Sequence, residues 1–285
     1  MTATFDVDQI AETGRPQVPA AVVWQGRRRI ASALAQYLLV VGGLVWLVYR
    51  GGASMQYDWQ WSRVLPYLVS HTDSGWTAGR LTLGLFETLR ISALAAVMAL
   101  SFGLALAVAR LSSSWSLVRL AGAVVSLVRN TPLIVQISMF YFVLAPILGI
   151  SRFWTGVFSL ALFESAFVSE IIRSGILAIP VGQWEAAMAL GLPRLGVLRL
   201  VVLPQALRIM LPPLTSAAIS LLKNSSIVSV IALFELTTAG RDAISETYMS
   251  FEIWLTVAAI YLVLTLGLQG AARRVESRTS RPFAA

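Results

Sequence analysis

The chemistry open to this chain is set by a few polar side chains embedded in apolar sequence. There is one histidine, His71, and no cysteine. A multi-histidine metal site, thiolate ligation and disulfides are therefore excluded. One histidine, expected at an external position, cannot complete a nucleophile, base and acid set. No Gly-x-x-x-x-Gly-Lys-Ser/Thr run is present, which removes ATP hydrolysis by the phosphate-loop route. What remains is a set of carboxylates, amides and hydroxyls inside apolar runs. Glu164 stands in the middle of SLALFESAF, with no basic residue within one helical turn. Ionisable groups in such runs are costly and face a bundle interior or an aqueous cavity, so Glu164 reads either as part of a solute pathway or as a carboxylate satisfied by neighbouring hydroxyls. Glu87 with Arg90, and Glu170 with Arg173, are three residues apart and can pair on one helix face. Glu170 and Arg173 read as a structural pair.

Asn130, Thr131, Pro132 and Gln136 form a second polar group, and Asn224, Ser225 and Ser226 a third. Proline inside a helix removes a donor and frees a carbonyl one turn back. In a membrane such freed groups persist where they line a cavity or find polar partners, and broken helices commonly build substrate sites. Both groups are candidates for a pathway. The other reading is interhelical hydrogen bonding that holds the bundle together.

The elements that position these residues are spanning helices. The chain has 285 residues, 57% apolar and 13% charged, with a mean hydropathy of +0.74. Soluble domains carry about a quarter charged residues. Much of the surface must therefore face lipid. A spanning helix needs about 20 apolar residues, and six stretches qualify: roughly 30–49, 83–109, 120–148, 153–179, 201–222 and 251–270. Polar residues 1–29 precede the first, with no cleavage pattern after it, so no secretory signal is expected. Six alternating helices starting from a cytoplasmic N-terminus put Arg15, Arg27, Arg28, Arg29, Arg110, Arg119, Arg129, Arg173, Arg194, Arg199, Arg208, Arg273, Arg274, Arg278 and Arg281 inside, 15 of 22 basic residues. The positive-inside rule then predicts both termini in the cytoplasm. The stretch 50–82, with Tyr57, Trp59, Trp61, Tyr67 and Trp76, is expected outside, where aromatic rings favour the membrane–water boundary. It reads as an interfacial anchor or as a contact surface for an external partner.

The loop at 180–200 lies inside in this arrangement. Residues Gly182–Pro213 read GQWEAAMALGLPRLGVLRLVVLPQALRIMLPP. Glu185, Ala186 and Ala187 open a short helix, Gly191 ends it and Pro193 follows as a stop. Leu195, Leu198, Val201 and Val202 continue at helical spacing, and Pro204 leads into the fifth span. This stretch resembles the cytoplasmic loop of bacterial binding-protein-dependent ABC permeases. That loop has Glu-Ala-Ala, a glycine four residues after the second alanine, and a downstream Leu-Pro, here Glu185-Ala186-Ala187, Gly191 and Leu203-Pro204. Residues 129–136, RNTPLIVQ, resemble the Arg-Gly-Thr-Pro-Leu-Leu-Val-Gln pattern of polar amino-acid permeases (the histidine, glutamine and glutamate type), with Asn130 in place of glycine. Residues 166–176 resemble the next block, with Phe167 and Ser169 where tyrosine and alanine are usual. Residues 222–227, LKNSSI, resemble Lys-Asn-Thr-Ser-Leu.

The resemblance covers about 80–270 and implies an all-α polytopic protein of a five-helix importer core plus one N-terminal helix. It divides the chain into a tail (1–29), an extra helix with the Trp-rich segment (30–79), a permease domain (80–272) and a C-terminal tail (273–285). It implies a multi-pass subunit of the bacterial inner membrane that imports polar amino acids. Two ATPase subunits would hold ATP and Mg, with no cofactor on this chain and no nucleic acid. A periplasmic or extracellular solute-binding protein and a second permease subunit, the same chain or a related one, would complete the importer. In that family the short loop helix docks into a cleft on the ATPase, which assigns coupling to Glu185, Ala186, Ala187, Gly191 and Pro204. The rival readings are a self-sufficient ion-coupled transporter or channel, which offers no reason for a docking loop, and a membrane-embedded enzyme, which lacks a catalytic set.

Overall fold

The computed structural model describes residues 35–43, 46–47, 49–51, 57–72 and 75–279. The N-terminal tail 1–29, part of the first expected span and the residues after 279 lie outside the described residues. The chain divides into two units, Met1–Trp59 and Gln60–Ala285. In the first, residues 35–43 are helical and exposed.

The second unit opens with a helical turn at Leu65–Leu68 and a small antiparallel hairpin, β1 (Val69–Thr72) and β2 (Gly75–Ala78). The helices are α1 (Arg80–Leu111), α2 (Trp115–Arg129), α3 (Leu133–Leu148), α4 (Arg152–Leu177), the short α5 (Val181–Ala189), α6 (Leu203–Asn224), α7 (Leu236–Thr247) and α8 (Ser250–Thr279). Four described helical runs are long and apolar enough to cross a bilayer: α1, α4, Arg194–Ile231 around α6, and Ser250–Arg274 of α8. A fifth is obtained by taking α2 and α3 together. The sequence predicts a span over roughly 120–148 with Pro132 interrupting it. The structure bends the axis there by 105°, between α2 and α3, because Pro132 adopts an extended backbone and cannot continue α2.

Small residues bring α1 and α4 together. The buried face of α1 includes Gly84, Ser92, Ala95, Ala99, Gly103 and Ala107. A Cβ on Gly103 would stand 2.5 Å from Val168 Cγ1 and 3.0 Å from the Ser165 carbonyl. Without a hydrophobic drive between helices in lipid, close approach of this kind supplies the packing energy. Two apolar clusters divide the bundle along α4. One joins Ile91, Ala95, Ala99, Leu133, Leu160, Ala161 and Leu221. The other joins Ala107, Val168, Ile172, Ala187, Val202 and Met210.

Candidate functional site

The loop after α4 forms an elbow. Gly191 takes φ +82°, the left-handed conformation that glycine adopts without penalty. Its amide donates to the Met188 carbonyl at 2.9 Å, and Leu192 N donates to the Ala187 carbonyl, so the last carbonyls of α5 are satisfied. The helix starts at Val181, one turn earlier than the Glu-Ala-Ala group. The two alanines differ. Ala187 is buried in the second cluster beside Val197, Val202 and Ala206, whereas Glu185, Ala186, Met188 and Leu190 face outward. Leu190 is 84% exposed. A short helix with an apolar outer rim and a buried inner alanine is shaped to be covered by another surface.

The return to the bundle is continuous. A π-helical turn over Val197–Val202 leads into α6. The wider turn suits Pro204 in the first turn of α6, because proline has no amide to give to the preceding helix. Gln205 Nε2 donates to the Val201 carbonyl at 2.9 Å and to Gln183 Oε1 at 3.3 Å, tying α5 to the base of α6.

The Glu170–Arg173 pair is present and is larger than the sequence indicated. Arg110, at the end of α1, donates to Glu170 Oε2 at 2.6 Å, so one carboxylate is shared by two arginines from two helices. No spacing rule links residues 110 and 170, and sequence reasoning missed this contact. Glu87 and Arg90 also pair, at 3.2 Å.

At the α2–α3 break the polar side chains turn onto the break itself. Asn130 Nδ2 donates to the Ser126 carbonyl at 2.7 Å. Thr131 Oγ1 donates to the Leu127 carbonyl at 3.0 Å. Gln136 Nε2 donates to the Val128 carbonyl at 2.8 Å and to Thr131 Oγ1 at 2.7 Å, while Gln136 Oε1 is buried without a hydrogen-bond partner among the described residues. The amides and hydroxyls thus satisfy carbonyls that the interrupted helix leaves open. Arg129, counted above with the inside segments, lies over the Phe167 ring at 5.4 Å, well within the length of α4.

Glu164 is 5% exposed and forms no ion pair among the described residues. It lies between the two apolar clusters, one turn past Leu160 and Ala161 and one turn before Val168. At the end of α6 the chain tightens into a 3-10 helix over Ser225–Ile231. Ser225 Oγ and Ser226 Oγ donate to the Leu222 and Lys223 carbonyls, and Asn224 is half-buried. The break and the α6 terminus meet the same cluster through Leu133, Leu221 and Val228.

Two buried carboxylates have no counterpart in the sequence reading. Glu235, 0% exposed, caps α7 by accepting from the Thr237 and Thr238 amides, each at 2.7 Å, and from Tyr261 OH at 3.1 Å. Thr88 Oγ1 on α1 accepts from Leu236 N, so α1, α7 and α8 meet there. Burial pushes the Glu235 carboxyl above its ordinary value, against the pull of those donors. An acid directly before an apolar-periodic run was the available signal. Glu252 accepts from Gln60 N at 2.7 Å and anchors the start of the second unit to α8. Arg80 pairs with Asp242 at 3.1 Å and with Glu246.

Comparison with known proteins agrees with this architecture. Residues 99–281 match the binding-protein-dependent transport system inner membrane component family. The glutamine transport system permease protein GlnP of Escherichia coli (strain K12) is 36% identical over 229 residues, covering 79% of this chain and 98% of the relative. The arginine transport system permease protein ArtQ of Bacillus subtilis (strain 168) is 38% identical over 197 residues, 68% of this chain and 90% of that protein. Among solved structures, an amino acid ABC transporter with histidines superposes with a TM-score of 0.66 at 37% identity, over 70% of this chain and 94% of that one. An importer of the polysaccharide alginate shares the fold at 13% identity, with a TM-score of 0.61 over 91% of this chain and 99% of that one. An all-helical bundle with small-residue seams, a capped exposed elbow and a match over most of its length make this chain a member of the binding-protein-dependent transport system inner-membrane component family, and thus a permease subunit rather than an enzyme.

Proposed function

We propose that this chain is the permease of an inner-membrane importer of polar amino acids, with both termini in the cytoplasm. It works with a second permease subunit, two ATPase subunits that hold ATP and Mg, and a solute-binding protein outside. The observation that carries the coupling role is the elbow: α5 shows Glu185, Ala186 and Leu190 outward while Ala187 is buried in a cluster shared with α1, α4 and α6. A partner gripping the outer face moves the bundle through the inner one. Glu185, Ala186, Ala187, Gly191 and Pro204 therefore form the coupling group. Glutamine and arginine in the names of the relatives support amino acids as the substrate class.

The pathway is assigned to Glu164, to the break at Asn130, Thr131, Pro132 and Gln136, and to Asn224, Ser225 and Ser226. An amino acid presents a carboxylate and an ammonium, and amides, hydroxyls, exposed carbonyls and a buried carboxylate are apt partners for them. Glu170 and Arg173 brace the cytoplasmic half. In the transport cycle, ATP binding closes the ATPase pair and draws on 183–196. The bundle then opens outward to accept solute, and hydrolysis resets it.

The test is co-purification followed by uptake into proteoliposomes. The ATPase subunit should co-purify, and uptake of L-glutamine or L-arginine should require ATP and the binding protein. Uptake driven by an ion gradient without ATP, with no ATPase retained, would instead establish a self-sufficient transporter.

A further inference from the structure

The arginines differ between the two ends of the second unit. Towards the hairpin, Arg63 donates to Gln60, Arg80 pairs with Asp242 and Glu246, Arg90 pairs with Glu87, and Arg152 donates to Tyr141 OH and the Ala232 carbonyl. Towards the elbow, Arg110 and Arg173 share Glu170. Arg119, in the second turn of α2, is exposed, and among the described residues its guanidinium has no hydrogen-bond or ion-pair acceptor. None is offered nearby in the chain, because no acidic residue occurs between Glu87 and Glu164. The charge lies over the ring of Trp115, 4.9 Å from its centroid, and Trp115 is itself 72% exposed.

This arrangement leaves the donors of Arg119 open. A ring beneath a guanidinium covers one face, while the N–H groups lie in the guanidinium plane and point to its rim. That rim is a fork suited to two oxygens of one phosphate. The surface next to it is apolar. On α2, Leu120, Ala123 and Leu127 are spaced by three and four residues, so they share one face, and all three are exposed. Ala121, Val125 and Val128 take the buried side. Gly122 has open space around it, so a slender chain can lie against the helix there. The line from Arg119 to Leu127 is about 12 Å long at the rise of an α-helix. A cation and a tryptophan at the head of an exposed apolar face mark a helix that meets a bilayer at headgroup level. A zwitterionic lipid brings its own cation to the phosphate and offsets part of the attraction. With no acidic partner among the described residues, Arg119 favours a lipid of net negative charge.

We propose that the head of α2 is a site for an anionic phospholipid, whose phosphate is held by Arg119 over Trp115 and whose acyl chain follows Leu120, Ala123 and Leu127. The inference rests on the permease reading above, which puts this helix in the bilayer. Phosphatidylglycerol is a simple lipid of this class, with a charged phosphate and no cation to offset it. Only Ser112–Ser114 separate the site from α1, whose last turn carries Arg110 on Glu170. A bound lipid therefore steadies the same end of the bundle that the elbow moves.

The test uses the assembled permease–ATPase complex in phosphatidylcholine nanodiscs that contain a minor fraction of brominated lipid, either phosphatidylglycerol or phosphatidylcholine. Bromine in the acyl chain quenches tryptophan on contact, and the Trp115 signal is taken as wild type minus Trp115→Phe. Phosphatidylglycerol should be preferred at this site by about fivefold, the range for one arginine near a membrane surface. Arg119→Gln should abolish the preference, Arg119→Lys should keep part of it, and added salt should weaken it. Arg63→Gln, at the hairpin end, should leave it unchanged. Native mass spectrometry gives a second reading: each copy of the permease should lose one retained phosphatidylglycerol in Arg119→Gln. Equal quenching by the two lipids in the wild type, or a preference that survives Arg119→Gln, would overturn the proposal. Trp115 quenched by neither lipid would overturn it too, by placing the head of α2 against a partner protein. Complex that takes up L-glutamine or L-arginine with ATP but shows no lipid preference at Trp115 defeats this inference alone; complex that shows no ATP-dependent uptake defeats the permease reading.

Discussion

Replacing Gly191 by alanine tests the coupling elbow in isolation, because the structure separates backbone strain from crowding at this position. Gly191 has φ +82°, and a Cβ added there would meet nothing within 4 Å. The cost is therefore conformational alone, about 1–2 kcal/mol for an alanine held in the left-handed region. That strain acts on the cap that satisfies the Ala187 and Met188 carbonyls. A partner that grips only the capped helix must restore the cap on docking, so its apparent affinity should fall by roughly 5–30-fold. Asparagine tolerates the left-handed region, so Gly191→Asn should lie close to wild type. The assay is ATP-driven uptake in proteoliposomes against ATPase concentration, with insertion checked by protease protection. Gly191→Ala should need more ATPase for half-maximal uptake, with little change in the plateau. Indistinguishable curves for Gly191→Ala and wild type, or equal loss in the alanine and asparagine variants, would show that the capped elbow does not carry the docking.

Three further predictions concern the bundle. Gly103→Ala places a methyl 2.5 Å from Val168 Cγ1 and 3.0 Å from the Ser165 carbonyl; overpacking should cost about 1–3 kcal/mol, read as a lower Tm in detergent, whereas Gly122→Ala, with open space around it inside α2, should not lower Tm, since alanine is the better helix former. Glu170→Gln leaves Arg110 and Arg173 facing each other across a half-buried site and should destabilise by about 1–3 kcal/mol; adding Arg110→Gln should recover part of the loss, and strictly additive losses would show that the two residues do not interact. Glu235→Gln exchanges one acceptor oxygen for a donor where the Thr237 and Thr238 amides and Tyr261 OH all donate; about 2 kcal/mol or more should be lost, with faster hydrogen exchange at Thr237 and Thr238, and unchanged exchange there would remove Glu235 as the cap.

The legible parts of this protein are those governed by local rules. Apolar runs of spanning length placed the helices, and the order of alanines, glycine and proline after Pro180 foretold a short capped helix. The illegible parts depend on residues far apart in the chain. Glu170 announced Arg173 by spacing, yet Arg110 reaches it across 60 residues. Pro132 signalled a break, but the 105° bend is stabilised by Gln136 reaching back to Val128 and Thr131. Glu235 follows the apolar run 230–234 and Glu252 stands at the start of the sixth apolar stretch; burial turns them into anchors, and burial is a property of their neighbours. The Glu-Ala-Ala group concealed its own asymmetry, since only the fold decides which alanine is covered.

The elbow and the bundle are joined too tightly to move independently. A Cβ on Gly175 would collide with Met210, so α4 and α6 touch without slack one turn above the elbow. Met210 shares its cluster with Ala187 of α5 and Ala107 of α1, and Gln205 links α5 to α6. Close-packed interiors shift between discrete arrangements rather than deform smoothly. A pull on α5 must therefore carry the elbow-side halves of α1, α4 and α6 as one body, with Glu170 riding between its two arginines. Yielding falls instead to places where the helical hydrogen bonds are already interrupted. The α2–α3 break is one, its open carbonyls held by side chains. The 3-10 segment after Lys223 is another, ending in the left-handed Ala232. Both border the cluster next to Glu164, so a force applied at the exposed face of α5 is delivered to the part of the bundle where that buried carboxyl stands.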